Sequence, residues 1–388
     1  MRRRAAAVLA LLGLASLPAG ARGEEVRPGQ ACTLHLGFSP QAASVMPGGP
    51  RRDGRLAFSL PRSAPSSHAL AVVAGGRPRG PAIDEDGRLY VGTGSGLAVI
   101  SPDGASVHDV ALDVLDCAPV LVPGGGAVGV SREGLIARVD PSGHVVRREA
   151  LRRAVRFSPL VSPDGSLAVV AAGRTLLRVD DVLAVREARE MPDGLALSPT
   201  EAPSGSWLVA AGTELEVVDP GTLEVARSIP LPARAATPAA IAPDGTAWVG
   251  TVEGDLVRVR GEARVVGTID LGARLPEATT SDRAMLGIAP DADLLVAVPS
   301  LGLVRISSEG EERWTYAPDT PLASAVSVDP EGRAAVVDRL GHLFVVSAAG
   351  DVEWTVALES MPLGPVLVTA QGRVVVATER GVVILGPA

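Results

Sequence analysis

Short apolar runs alternate with turn residues along most of this 388-residue chain, and residues 238–271 show the pattern most clearly. The runs are rich in Val, Ile and Ala, as half-buried strands are. Pro243-Asp244-Gly245 separates the first two, and an Asp-Gly turn needs the positive φ that Gly adopts without strain. The stretch predicts four strands in succession, at 239–242, 247–251, 256–260 and 265–271.

The same unit recurs along the chain at a nearly constant period. Its turn position is spaced by 39 or 40 residues, apart from one interval of 47 residues, and eight positions mark it: Gly87, Gly126, Gly165, Gly205, Gly245, Ala292, Gly332 and Gly372. A period of about 40 residues with four strands per repeat is typical of propeller blades. The dense Pro and Gly content argues against helical repeats. The sequence predicts an all-β, eight-bladed β-propeller of four-stranded antiparallel blades, with seven blades as the alternative if Gly205 or Ala292 does not mark one.

The last repeat, residues 365–388, has room for only three strands, so we expect an N-terminal strand to close the ring. Residues 54–60 are the predicted closing strand. The spacing from Gly54 to Phe58 matches Gly310 to Trp314 and Gly350 to Trp354 in the outermost strands of two repeats.

The N-terminus predicts export. Three Arg precede an apolar run over residues 5–17 that is too short to anchor in a bilayer, and small residues follow it. We expect a signal peptide over residues 1–23, cleaved after Ala21 or Gly23, then an N-terminal arm over 24–50 and the propeller over 51–388. With no lipid-acceptor Cys after the apolar run and no later membrane-spanning stretch, the expected location is periplasmic or secreted.

Composition limits the partners. The net charge is −8, so nucleic acid is not an expected partner, because phosphate binding needs a basic surface. Aromatic residues make up only 3%, so the core must be aliphatic. Export permits a disulfide, and Cys32 and Cys117 could either form one bridge or remain two separate thiols.

The Gly-x-x-x-Trp segments at 310–314 and 350–354 resemble the PQQ-like β-propeller repeat family, which includes quinoprotein dehydrogenases and BamB-like propellers of the periplasm. The resemblance covers the chain from about Arg52 onward and implies the fold. This sequence differs from the dehydrogenases, in which the Trp motif recurs in most blades. It differs from BamB because no lipid-acceptor Cys follows the apolar run at its N-terminus.

We find no motif for catalysis or for a cofactor. The five His are scattered and lack metal-ligand spacing, and Asp84 to Gly87 has too few oxygen ligands for calcium. The Gly-rich stretches do not open helices, so they do not predict a phosphate site. We expect no catalytic residue, no metal and no cofactor.

One pattern suggests a binding surface. In a propeller, the turns between second and third strands lie on one face near the central channel, and here they carry charges of both signs. Exposed turns are commonly polar, so plain solubility is the competing explanation. The long connection over 274–283 should reach the same face. The candidate binding residues are Arg132, Glu133, Arg174, Glu253, Arg274, Asp282, Arg283, Asp338, Arg339, Glu379 and Arg380.

Two functions are compatible with the sequence. The first is an exported, non-enzymatic, monomeric propeller that binds a protein or a cell-envelope component. The alternative is a propeller enzyme, either a quinoprotein-like oxidoreductase or a lyase, with its site at the channel mouth. Because no catalytic constellation is found, we favour binding, arguing from the site and not from the fold.

Overall fold

The computed structural model describes residues 52–191, 195–276 and 286–386. They form eight four-stranded antiparallel sheets, and no α-helix occurs in these ranges. The eight-bladed β-propeller is therefore confirmed, and the seven-bladed alternative is wrong. Within those ranges, no helix is long and apolar enough to cross a membrane.

The first and second strands of each blade line the inside of the ring. First strands of neighbouring blades contact each other around most of the central channel. The first strands are β2 (Arg79–Ile83), β6 (Val120–Leu121), β10 (Leu160–Val161), β14 (Thr200–Glu201), β18 (Ala240–Ile241), β22 (Leu286–Ile288), β26 (Ser327–Val328) and β30 (Pro362–Val368). The second strands are β3 (Leu89–Thr93), β7 (Ala127–Val130), β11 (Leu167–Ala171), β15 (Trp207–Ala211), β19 (Ala247–Gly250), β23 (Leu294–Val298), β27 (Ala334–Val337) and β31 (Val374–Thr378).

The third and fourth strands complete each blade toward solvent. The third strands are β4 (Gly96–Ile100), β8 (Leu135–Val139), β12 (Thr175–Val179), β16 (Glu214–Val218), β20 (Asp255–Arg260), β24 (Gly302–Ile306), β28 (His342–Val346) and β32 (Gly381–Leu385). The fourth strands are β5 (Val107–Ala111), β9 (Val145–Ala150), β13 (Val185–Glu190), β17 (Val225–Pro230), β21 (Arg264–Asp270), β25 (Glu312–Tyr316), β29 (Val352–Ala357) and, in the eighth blade, β1 (His68–Ala71).

Burial falls from the inside of the ring to the outside. The second strand β11 is buried at all five positions, whereas most of the outer strand β13 is exposed. The core between blades consists mainly of Val, Leu, Ile and Ala. This explains continuous aliphatic runs in second strands and charged residues in fourth strands, because only the former are covered on both faces.

The repeated turn position has the backbone conformation that its Gly content predicts. Gly245 has a φ of 81°, and Ala292, which stands where the other repeats have Gly, has a φ of 68°. A left-handed Ala costs roughly 1–2 kcal/mol relative to the right-handed region. The turn geometry therefore recurs in the sixth blade without its usual residue.

The ring is closed by β1, which pairs antiparallel with β32 from His68 opposite Leu385 to Ala71 opposite Val382. An N-terminal strand does close the propeller, as expected, but residues 54–60 are not that strand. They lie instead at the inner edge of the ring, where Arg55 bridges Val328 in the parallel direction. The match between Gly54–Phe58 and the Gly-x-x-x-Trp segments was therefore misleading.

Each of those Trp residues docks against the next element around the ring. Gly350 has a φ of 98°, and a side chain there would lie 2.9 Å from the Trp314 ring. The indole of Trp314 donates to the carbonyl O of Ala348 at 3.0 Å. The motif thus has a physical basis, since a bare Gly backbone in one blade receives the aromatic ring of the blade before it.

The predicted signal peptide over 1–23, the arm over 24–50 and Cys32 lie outside the described residues. Cys117 is buried, with its Sγ 3.6 Å from the carbonyl O of Val130. Pairing of Cys32 with Cys117 stays a prediction.

Candidate binding surface at the channel mouth

Strand direction divides the loops of the ring between two faces. Turns between second and third strands lie on the same side as the connections from one blade to the next, because each strand reverses the one before it. We call this side the mouth face. The turns between first and second strands, and between third and fourth strands, lie on the opposite side, which we call the back face.

The central channel is occupied by the chain itself. Residues 53–56 run along the inner edges of blades six and seven, parallel to β26. Backbone hydrogen bonds fix them there: Ile288 N donates to Asp53 O (2.6 Å), Val328 N to Gly54 O (2.8 Å) and Leu56 N to Val328 O (2.7 Å). We call residues 52–56 the channel segment.

Arg52 ties the channel segment to blades three and four. Its Nε donates to the carbonyl O of Pro199 at 2.8 Å, and its Nη2 donates to that of Ser158 at 3.2 Å. Those carbonyls lie one and two residues before the first strands of blades four and three, and the Arg52 side chain is buried. The segment is thus held on two sides of the channel, which positions it as a fixed part of the ring and not as a loose end.

Gly54 is required where the channel segment packs against the backbone of blades six and seven. It has a φ of 68°, and a Cβ there would lie 2.8 Å from Val326 O and 2.9 Å from Gly287 Cα. No larger residue fits this close approach without a backbone shift.

The charged residues predicted on the mouth face are exposed in most cases, but many pair with a neighbouring loop. Each such pair joins a turn to an adjacent connection or strand end. The pairs are Arg132 with Asp116 (2.7 Å), Arg174 with Glu190 (3.0 Å), Arg274 with Glu253 (2.7 Å) and Arg380 with Glu359 (3.5 Å). Exposed pairs of this kind contribute only about 0–1 kcal/mol to stability, so they remain available to a partner.

Asp338 differs from the other predicted residues. It is buried, and its carboxylate accepts hydrogen bonds from the backbone N of Leu340 (2.9 Å) and of His342 (2.8 Å). Its second oxygen lies 2.9 Å from His342 Nδ1. The structure therefore places Asp338 inside its own turn, where it fixes the backbone that presents Arg339.

The part of the mouth face on blades seven and eight has charges that are free to interact. Arg339 and Glu379 are exposed and have no ion-pair partner among the described residues, and the same holds for Glu133 on blade two. Leu340, at the tip of the blade-seven turn, is 64% exposed. An exposed Leu beside unpaired charges has the composition of a protein contact surface, with an apolar centre and a polar rim.

Asp282 and Arg283 lie outside the described residues, so their place relative to the mouth face stays a prediction. Arg274, at the start of the same connection, does lie beside the blade-five turn through its bond to Glu253. The structure thus brings together the described part of the predicted set as a ring of turns, not as a single cluster.

Sequence reasoning missed two features. The channel segment carries no local signal beyond Gly54, because its partners lie more than 100 residues away in the sequence. A second feature is a cavity of about 310 Å³ between blades five and six on the back face, lined by Trp248 and Arg258 among others. Its sequence signal is Gly267 in the fourth strand of blade five, which leaves no side chain opposite Arg258.

The described residues contain no group of three or more His, Cys, Asp or Glu side chains placed to hold a metal ion. Burial raises the pKa of Tyr90 above its ordinary value, with Asp84 adding to the shift. That Tyr donates to Asp84 (3.0 Å) within the blade-one turn, which gives it a structural role.

The fold is shared with propellers of known structure. BamB from Moraxella catarrhalis superposes with a TM-score of 0.60 at 16% identity, over 83% of this chain and 98% of that one. The virginiamycin B lyase of Staphylococcus aureus gives 0.56 at 11% identity, over 83% and 99%, and a streptogramin B lyase gives 0.52 at 10%, over 82% and 96%. This chain resembles BamB-type propellers in fold. No family model matches the sequence, and no curated protein is similar to it.

Proposed function

We propose that this chain is an exported, non-enzymatic β-propeller that binds a protein or a cell-envelope component through its mouth face. The observation that carries the proposal is the occupied channel. Residues 52–56 lie against the inner strands, with backbone hydrogen bonds to blades six and seven and hydrogen bonds from the Arg52 side chain to blades three and four. What remains accessible around them is a surface of turns, which suits a macromolecular partner better than a small substrate.

The contact centre of this proposal is the surface formed by Arg339, Leu340, Glu379 and Arg380. Leu340 supplies apolar area, and the charges around it would set orientation and association rate more than affinity. The leader pattern at the N-terminus supports a periplasmic or secreted location, and the fold is shared with BamB. In this proposal the protein acts as a monomer and uses no cofactor.

The test is affinity capture from an envelope extract, followed by titration of the captured component with purified protein. The double variant Arg339→Glu with Arg380→Glu should weaken binding, because both charges reverse on the proposed contact surface. The matched control is Arg147→Glu with Arg264→Glu, which makes the same charge change on the outer strands β9 and β21. Exposed charge changes usually shift stability by no more than about 0.5 kcal/mol, so both variants should fold.

Equal loss of binding in both double variants would show that net charge alone governs the interaction, and would refute a contact at the mouth face. Quinone-dependent oxidation of an alcohol, or cleavage of streptogramin B, by the purified protein would favour the enzyme alternative instead.

A further inference from the structure

We call the interface between two neighbouring blades a seam. The seam between blades six and seven differs at one position from the seam between blades five and six. In blade six, Trp314 lies opposite Arg305 in the pairing of β25 with β24. In blade five, the residue opposite the corresponding Arg258 is Gly267. The same place in the repeat thus carries an indole in one seam and no side chain in the other.

The filled seam shows what the position holds. The carbonyl O of Ala348 in blade seven accepts two hydrogen bonds from blade six, one from Trp314 Nε1 (3.0 Å) and one from Arg305 Nη1 (2.8 Å). A carbonyl oxygen has two lone pairs, so this acceptor is saturated.

The seam between blades five and six reproduces only half of that arrangement. Ser308 occupies the turn position of Ala348, one residue after the Ser that opens each turn, and its carbonyl O accepts from Arg258 Nη1. No second donor to this oxygen is found among the described residues. Ile269, two residues beyond Gly267, covers Gly310, but the volume beside Arg258 stays open.

The open volume is the cavity of about 310 Å³ on the back face. It lies at the lower end of the range for pockets that hold small ligands or single large side chains, about 300–1,000 Å³. Trp248, Val266 and the stem of Arg258 provide apolar walls, and Arg260 and Asp244 stand at its polar edge, 3.8 Å apart.

Arg258 is fixed at both sides, which gives the cavity a preformed wall. Its guanidinium lies 5.9 Å from the centroid of the buried Trp248 ring and donates to Ser308. A planar guanidinium held in this way attracts the face of an aromatic ring. The cavity therefore offers a cationic plane, apolar walls and a free carbonyl lone pair, and an indole satisfies all three.

We propose that this cavity is a docking site for a tryptophan side chain of a partner protein. The indole would take the place that Trp314 takes in the next seam, with its Nε1–H donating to Ser308 O and its ring against Arg258. This site lies on the back face and is independent of the proposed contact surface at the channel mouth.

The experiment uses the hexapeptide Glu-Glu-Arg-Trp-Thr-Tyr, the sequence of residues 311–316, labelled with fluorescein and titrated with full-length mature protein. We expect saturable binding by fluorescence anisotropy. Replacing the peptide Trp with Ala should weaken it at least tenfold. Absence of saturable binding to the wild-type protein, or equal binding of the Ala peptide, would overturn the proposal.

The variant Gly267→Trp tests the position directly. A Cβ at residue 267 would lie 3.8 Å from the Arg258 guanidinium, which is ordinary contact, and Gly267 does not have a left-handed φ. We expect the new indole to fill the cavity, raise the melting temperature and reduce peptide affinity at least tenfold. A folded Gly267→Trp protein that binds the peptide as the wild type does would place the peptide elsewhere and refute the site.

A second variant keeps the test decisive if Gly267→Trp does not fold. Arg258→Met retains an aliphatic stem against Trp248 but removes the cationic plane, so peptide affinity should fall at least fivefold. Unchanged affinity would contradict the role of Arg258. The mouth-face variant Arg339→Glu with Arg380→Glu should bind the peptide normally, and loss of binding there would assign the peptide to the mouth face and overturn the proposal.

Discussion

Trp354 donates a hydrogen bond from its indole Nε1 to the carbonyl O of Pro61 at 2.9 Å, across 293 residues of sequence. In the preceding seam Trp314 makes the equivalent bond to a turn of the next blade. The third and fourth strands of the eighth blade are not joined by such a turn, because its fourth strand is β1 from the N-terminal side of the sequence. Pro61 therefore stands in for the missing turn, and the N-terminal segment both fills the channel and completes the last seam.

This relationship predicts how the protein responds to Trp354→Phe. The ring remains packed but loses its hydrogen bond, so we expect a loss of about 1 kcal/mol in the free energy of unfolding. Trp354→Ala also removes the packing of a nearly buried side chain and should cost about 3–5 kcal/mol. Urea denaturation measures both. A Phe variant as unstable as the Ala variant would show that the hydrogen bond, not the packing, dominates.

Gly54→Ala should destabilise the protein beyond the cost of a left-handed Ala. The added Cβ would meet backbone atoms of Val326 and Gly287 within 3 Å, so the channel segment must move away from the wall. The matched control is Gly76→Ala, because Gly76 has a φ of 60° but no atom within 4 Å of the added Cβ. We expect about 1–2 kcal/mol for the control and a larger loss for Gly54→Ala. Equal losses from guanidinium unfolding would mean that the close approach at Gly54 is relieved without cost.

The sequence predicted the repeat better than the way its ends meet. The periodic turn glycines gave the blade number because each blade needs the same left-handed turn, and Ala292 kept that conformation without Gly. The closing strand His68–Ala71 has no comparable signal. It pairs with β32 through backbone groups, which every residue possesses. The Gly54–Phe58 spacing is more conspicuous, and it led to the wrong prediction that residues 54–60 are the closing strand.

The candidate surface was predicted only in outline for a related reason. Strand order alone places the charged turns on one face, and the structure puts the described residues of that set there. Loop geometry decides which of these charged side chains form ion pairs or hydrogen bonds with neighbouring residues. Arg132 finds Asp116 and Asp338 turns inward to its own backbone, whereas Arg339 stays exposed beside Leu340.

Glu216 provides a prediction on pH. It is fully buried, Ser228 Oγ donates to its Oε2 at 2.6 Å, and its Oε1 has no hydrogen-bond partner. Burial, reinforced by Glu214, raises its pKa above the ordinary value for Glu. The folded protein thus binds this proton more tightly than the unfolded chain. The resulting stabilisation is complete below the unfolded pKa, near 4.3, and is lost as pH rises through the folded pKa.

Glu216→Gln should therefore gain stability relative to the wild type as pH rises from 4 to 8, because the variant has no charge to bury. Urea midpoints at both pH values measure the difference, and Glu214→Gln at the half-buried neighbour should show a smaller gain, because it removes only the secondary cause of the raised pKa. A variant that loses stability relative to the wild type at pH 8 would show that the ionised carboxylate is stabilised in the folded state.

Arg333 supports the last prediction, since it fastens the N-terminal segment to blade seven. Its buried guanidinium lies 2.7 Å from Asp329 Oδ2 and 3.2 Å from Glu353, and it also donates to the carbonyl O of Pro61 at 3.3 Å. Asp329 in turn accepts from Leu60 N at 3.0 Å. Arg333→Met should cost about 3–5 kcal/mol, because it leaves the fully buried Asp329 carboxylate without its cation.

The control for this prediction is Arg62→Met. Arg62 also joins the N-terminal segment to the same turn, through Glu331 at 2.7 Å, but its side chain is 76% exposed. We expect that pair to contribute about 0–1 kcal/mol, because solvent screens it. Chemical denaturation should therefore separate the two Arg variants clearly. Similar small losses in both would mean that the buried Asp329 carboxylate does not depend on Arg333 for its stability, and would contradict the prediction.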